Sequence, residues 1–93
     1  MLTEKECYDQ IIATVKPEIN AMYKYFQTKN PEMEEEDNNP EEQLQEMIDK
    51  KYLSITFMTD LVYISSCYYE GRDYLYKAKL REYKTRVKCF LEG

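Results

Sequence analysis

The chain contains no histidine and no tryptophan, and its only glycines are Gly71 and Gly93. Histidine is the commonest general base in enzymes and the commonest zinc ligand, so its absence removes the most frequent catalytic and metal-binding chemistry. Two isolated glycines cannot form the glycine-rich loops that cradle phosphates in nucleotide-binding proteins. We therefore expect no enzyme activity, no metal and no cofactor.

The three cysteines, Cys7, Cys67 and Cys89, are an odd number, lie far apart and form no CxxC pair. These spacings favour neither a disulfide framework nor a zinc site, so we expect three small buried hydrophobic side chains. No basic stretch followed by a long apolar run occurs near Met1, which predicts a chain without a secretory signal. The apolar segment 52–69 contains Asp60 and six Ser, Thr or Cys residues, too many for a membrane span. Together these features predict a soluble cytoplasmic protein without membrane contact.

Two segments carry apolar residues at alternating spacings of three and four, which is the period of an amphipathic helix. The residues are Tyr8, Ile12, Val15, Ile19, Met22 and Phe26 in the first segment, and Tyr76, Leu80, Tyr83, Val87 and Phe90 in the last. Thr3 and Glu6 have capping-box spacing, and Pro17 interrupts the first stripe without shifting its phase. We predict a helix over 1–29 with a kink at Pro17, and a helix over 72–91 capped by Asp73.

The middle segment, 40–70, begins at Asn39-Pro40, a typical helix start, and is predicted to be helical with an optional break near 50. Its predicted core stripe is Leu44, Ile48, Ile55, Met58, Val62 and Tyr69. Residues 54–58 alternate like a strand, but no glycine supports a hairpin turn at Thr59-Asp60, so we favour the helix. The sequence thus predicts a single all-α domain over 1–93, a small three- to four-helix bundle with an acidic loop over 30–39 between the first and second helices.

The acidic loop and its flank, 31–42, hold seven acids and no base. A calcium loop of the EF-hand type would need glycine where Pro40 stands, so no metal site is predicted. The segment is either a solvating linker or an imitation of a phosphate backbone that binds a nucleic-acid-binding protein. The candidate partner-binding residues are Glu32, Glu34, Glu35, Glu36 and Asp37.

The opposite charge is concentrated at the other end, because residues 1–71 carry a net charge of −9 and residues 72–93 a net charge of +4. Four bases of the last helix follow one another at steps of four, three and four, and we name them the basic column: Lys77, Arg81, Lys84 and Lys88. They are either water-facing bases near a helix C-terminus or a docking surface for an anion. The candidate anions are an acidic loop, a nucleotide and a nucleic acid.

One face of the middle helix combines uncharged polar and aromatic residues with a single charge, a composition typical of contact patches. Its members are Thr56, Thr59, Asp60, Tyr63 and Ser66. The chain has ten tyrosines, a residue type enriched at interface hot spots. We predict that this face forms an oligomer interface, most simply that of a two-fold homodimer.

A short, acidic, tyrosine-rich chain without histidine resembles, in class only, the small proteins with which phages block host machinery, anti-CRISPR proteins among them. No residue-by-residue correspondence supports the likeness. It implies a non-enzymatic protein-binding inhibitor or adaptor in a bacterial host cytosol, which acts by surface contact or nucleic-acid mimicry. The alternatives are a nucleotide or nucleic-acid binding protein that uses the basic column and the tyrosines, and a stand-alone structural bundle.

Overall fold

The computed structural model describes residues 1–33 and 38–93, and this part of the chain forms five α-helices and no β-strand. The helices are α1 (Glu4–Thr14), α2 (Lys16–Lys29), α3 (Pro40–Asp49), α4 (Thr56–Tyr69) and α5 (Asp73–Glu92). The all-α prediction is confirmed, and the strand alternative for 54–58 is wrong. The described residues form five helices where three or four were predicted, because two of the predicted helices are each divided. Glu34, Glu35, Glu36 and Asp37 of the predicted acidic loop lie outside the described residues.

The first division falls at Val15, between α1 and α2. At the start of α1 the capping box is present: the Thr3 N–H donates to Glu6 Oε1 (2.9 Å), and the Glu6 N–H donates to Thr3 Oγ1 (3.1 Å). Pro17 lies in the first turn of α2, where the backbone N–H groups of a helix have no partner in any case. The proline is therefore accommodated at a helix start, and the predicted kinked helix is two helices.

The second division lies between α3 and α4. Asn39 Oδ1 accepts from the backbone N–H groups of Glu41 (2.9 Å) and Glu42 (3.2 Å), which confirms the predicted start of α3. The chain leaves α3 through Lys51, whose φ of +66° lies in the left-handed region. Of the two forms that the sequence left open for 40–70, the structure has the one that is broken near 50. Asp73 is the first residue of α5 and makes no capping hydrogen bond, so its predicted role as the N-cap is wrong.

The core forms where α1 packs on α4, α2 packs on α3, and α5 packs on both α4 and α2. The stripes predicted for α1, α2 and α5 face this core, as expected. An aromatic cluster joins the helices at one end. The Phe26 and Tyr52 rings stack with centroids 5.1 Å apart, and the Phe90 ring lies 5.7 Å from that of Phe26 and 6.2 Å from that of Phe57.

The stripe predicted for the middle segment is buried in α3 but not in α4. Ile55, Val62 and Tyr69 are 60%, 50% and 45% exposed. The residues of α4 that fill the core are Phe57, Leu61, Ile64 and Cys67. Almost every side of α4 is uncharged, so its sequence does not specify which side turns inward, and the change of direction at Lys51 separates its phase from that of α3. The prediction for α4 was therefore wrong.

Candidate functional site

The outer side of α4 is an exposed surface without charge, which we call the α4 face. It consists of Ile55, Thr59, Val62, Tyr63, Ser66 and Tyr69. At 100° per residue these six positions lie within about one third of the helix circumference. All six side chains are exposed, and the apolar and aromatic ones are 45–60% exposed. Exposed apolar and aromatic side chains grouped on one uncharged side of a helix mark an interaction site more often than a solvated face.

The α4 face overlaps the predicted interface but is rotated from it. Thr59, Tyr63 and Ser66 are exposed on the α4 face, as predicted. Thr56 and Asp60 instead turn toward α5, where both contact Arg86. Ile55, Val62 and Tyr69 were predicted to lie in the core, and the structure exposes them on this face instead.

Arg86 explains this rotation because it makes three contacts with α4. Its guanidinium forms an ion pair with Asp60, donates to Thr56 Oγ1 (3.1 Å) and lies 4.1 Å from the centre of the Phe57 ring. These contacts place the side of α4 that carries Thr56 and Asp60 against α5. No pattern within the α4 sequence indicates this pairing, because the partner lies 26 residues further along the chain.

The dimensions of the molecule explain why the α4 face stays uncovered. The molecule measures 42 × 25 × 19 Å. A helix with its side chains is about 10 Å across, so the shortest dimension accommodates only two helices. A helix in a two-layer molecule is covered on its inner side and at its flanks, and its outer side faces solvent. The outer side of α4 is the uncharged one.

The basic column lies in a groove between α2 and α5, which we call the α2–α5 groove. Lys77, Arg81, Lys84 and Lys88 all line it, and its volume is about 620 Å³. The apolar lining comes from Pro17, Ala21, Leu80, Val87 and Leu91, and two acids, Glu18 and Glu92, complete the walls together with Thr85. The structure therefore combines the predicted cations with an apolar floor that the sequence analysis did not identify.

The four cations of the basic column have no carboxylate within 4 Å in the described ranges, 1–33 and 38–93. The other three bases of the same segment are all paired: Arg72 with Glu70 (3.1 Å), Lys79 with Glu82 (3.2 Å), and Arg86 with Asp60. The unpaired positive charge of the segment is thus concentrated in the α2–α5 groove.

Glu32 is the one candidate of the acidic loop that the structure describes, and it does not contact the basic column. Its Oε1 accepts from the Tyr52 hydroxyl at 3.2 Å. Partial burial, together with this hydrogen bond, raises the pKa of Tyr52. The other four acidic candidates, Glu34 to Asp37, lie outside the described residues.

The tyrosines divide into packed and exposed groups. Tyr23 is buried and its hydroxyl donates to Glu46 Oε1 (2.8 Å), and the Tyr83 hydroxyl donates to the Phe57 carbonyl (2.9 Å). Burial raises the pKa of Tyr83 well above its ordinary value. Tyr63, Tyr69 and Tyr74 are 49%, 45% and 90% exposed. Two of these three therefore belong to the α4 face.

Cys7 and Cys67 are buried, as expected, whereas Cys89 is exposed. In the described part of the chain, no group of three or more Cys, Asp or Glu side chains is placed to hold a metal ion. None of the helices described is both long and apolar enough to span a bilayer.

The α4 face and the α2–α5 groove are described from the residues of this chain, without reference to a related protein. Comparison with protein-family models, with curated proteins and with solved structures found no match.

Proposed function

We propose that this chain is a non-enzymatic protein that acts by contact with other proteins, as an inhibitor or adaptor, and that it works as a homodimer joined through the α4 face. One observation carries the proposal: four large apolar or aromatic side chains are about half exposed on one uncharged side of one helix. Removing apolar surface from water contributes about 25 cal/mol per Å². A partner that covers this face therefore gains free energy without having to desolvate a charge.

A second copy of the chain fits this face because a two-fold axis sets the same surface against itself. Two copies of a protein with a net charge of −5 repel each other on average. The α4 face carries no charge, so two copies can meet there without that repulsion. Tyr63 and Tyr69 supply the aromatic anchors that interfaces favour.

The alternative of a nucleic-acid binding protein has less support. The basic column does line one groove, and positive grooves can follow a phosphate backbone. Binding of single strands usually adds aromatic side chains on which bases stack. The lining of the α2–α5 groove has an apolar aliphatic floor in place of such a platform. We therefore keep the protein-contact proposal.

The test compares two substitutions of exposed tyrosines. Tyr63→Lys places a charge on the α4 face, at its edge toward α5, whereas Tyr74→Lys makes the same change at the more exposed Tyr74 in α5. We expect Tyr63→Lys to convert the dimer to a monomer in size-exclusion chromatography with light scattering, and Tyr74→Lys to leave the dimer intact. Circular dichroism of both variants checks that the helices remain. A dimer that survives Tyr63→Lys would place the interface elsewhere.

A further inference from the structure

The four cations of the basic column form a row along the α2–α5 groove, and none of them is paired with a described carboxylate. Neighbouring like charges at spacings of three and four destabilise a helix, so the basic column opposes the formation of α5. The other three bases of residues 72–93 form ion pairs with carboxylates, whereas those of the column have no such partner among the residues that the structure describes. The groove thus has the electrostatic character of a surface that lacks its anion.

The floor of the groove sets a second requirement on the occupant. Beside the cations lie the side chains of Leu80, Val87 and Leu91 from α5, and those of Pro17 and Ala21 from α2. The small Ala21 side chain leaves room for close approach from outside. A suitable occupant is therefore apolar on the side that meets the floor and anionic on the side that meets the column.

The length of the basic column indicates which kind of anion can pair with all four cations. Lys88 follows Lys77 by eleven positions, which corresponds to about 16 Å along α5. A fatty acid has a single carboxylate and can pair with one end of such a row. A nucleic-acid backbone has a row of charges but no apolar side to cover the floor. A helix with acids at i, i+4, i+7 and i+11 and an adjacent apolar stripe supplies both features.

A second copy of this chain does not supply such a helix from its own acidic element. That element is α3, which contains Glu41, Glu42, Glu46 and Asp49. Its apolar residues Leu44, Met47 and Ile48 are buried in the core of its own molecule. They are therefore not available to the groove of another copy.

We propose that the α2–α5 groove binds an acidic amphipathic helix of a partner protein. The apolar stripe of that helix packs on the floor, and its acids pair with the basic column. Glu18 adds a detail, because it places an acidic side chain in the lining of the groove. The bound helix is expected to place a hydrogen-bond donor, and not a carboxylate, opposite Glu18.

The experiment uses a synthetic peptide and the full chain. The probe is a fluorescein-labelled 18-residue helix with Glu at i, i+4, i+7 and i+11 and Leu along the neighbouring stripe. One control peptide replaces each of these Glu residues by Gln, and another has the same composition in shuffled order. Fluorescence anisotropy at low salt measures binding. We expect the probe to bind about tenfold more tightly than either control, and to weaken as salt screens the charges.

Protein variants assign the binding to the groove. Arg81→Glu combined with Lys84→Glu should weaken the probe about tenfold, because two attractive pairs become repulsive. Ala21→Phe should weaken it similarly by filling the floor without a change of charge. Lys5→Glu is the control, since Lys5 lies on α1 and pairs with exposed Asp9. Tyr63→Lys should leave probe binding unchanged, which separates this proposal from the dimer.

Three results would overturn the proposal. The first is equal binding of the Gln peptide, which would show that the column does not select acids. The second is loss of binding in Lys5→Glu as large as in the groove variants. The third is tighter binding of a 20-nucleotide oligothymidylate or of anionic phospholipid vesicles than of the probe, when Arg81→Glu and Lys84→Glu abolish it. Circular dichroism spectra of all variants must match that of the unmodified chain for these comparisons.

Discussion

Lys51 occupies a backbone conformation that costs free energy for any residue with a Cβ atom. Its φ of +66° places it in the left-handed region, and its side chain is exposed. The turn at this position is closed by backbone bonds from the Tyr52 and Leu53 N–H groups to the Met47 carbonyl, 2.9 and 3.2 Å long. The left-handed conformation at Lys51 therefore ends α3 and turns the chain toward α4. Glycine would adopt this conformation at a lower cost in free energy.

Lys51→Gly should raise the free energy of unfolding by about 0.5–1 kcal/mol, because relief of the strain exceeds the added entropy of the unfolded chain. For a chain of this size the melting temperature should rise by about 4 °C. Lys51→Ala removes the same charge but keeps the Cβ atom, so its melting temperature should stay close to that of the unmodified chain. Equal stabilisation by both variants would show that charge, not backbone strain, is responsible.

Tyr83 should make the free energy of unfolding depend on pH in the alkaline range. Its hydroxyl is buried and donates to the Phe57 carbonyl, and burial raises its pKa above the ordinary value of 10.0. Folding favours the neutral hydroxyl of Tyr83. Its contribution to the free energy of unfolding is therefore fully present below pH 10 and is lost as pH rises above that value.

Tyr83→Phe should lower the free energy of unfolding by about 1 kcal/mol at pH 8 through loss of this hydrogen bond. Between pH 9 and 11 the variant should lose less stability than the unmodified chain, since one buried group no longer titrates. Urea denaturation at several pH values measures both effects. Tyr74→Phe, which removes an exposed hydroxyl, controls for the loss of a hydroxyl as such. An unchanged alkaline slope in Tyr83→Phe would contradict the assignment.

Among the elements, α4 and α5 are held together by the contacts of Arg86. The side chains of Arg86 and Asp60 are 42% and 44% exposed, so water screens their ion pair strongly. The guanidinium also stacks on Phe57 and donates to Thr56. These two contacts depend on a planar group with several donors, which lysine lacks.

Arg86→Lys should therefore lower the free energy of unfolding by about 1 kcal/mol, although the positive charge is kept. Asp60→Asn should cost about 0.5 kcal/mol or less, because it removes only the screened ion pair. Thermal and urea denaturation of the two variants give the comparison. A larger loss for Asp60→Asn than for Arg86→Lys would mean that the charge pair dominates the contact.

The sequence predicts the elements of this protein better than it predicts their orientation. The stripe from Tyr8 to Phe26 has charged residues on its other sides, so burial of that stripe was predictable and is confirmed. The α4 sequence lacks such contrast, and its inward side depends on Arg86, which is distant in the chain. The apolar floor of the α2–α5 groove was likewise unpredictable, because α2 and α5 form it only by packing together.

The two proposed contact surfaces use different residues of the molecule. The α4 face belongs to one helix, whereas the α2–α5 groove lies between two others. A dimer joined through the α4 face would therefore present two grooves. Two linked sites bind a partner that carries two suitable helices far more tightly than one site does. This arrangement suits the adaptor or inhibitor role proposed above.

At the scale of the whole molecule, the central claim is that two copies join through the α4 face. This claim predicts the mass of the protein in solution. A two-layer molecule leaves one side of an uncharged helix exposed, and a second copy is expected to cover it. Sedimentation equilibrium of the unmodified chain, over a concentration series in the micromolar range, measures this directly. The account predicts a mass approaching twice the chain mass of 11.3 kDa as concentration rises. A mass that stays at 11.3 kDa throughout the series would contradict it.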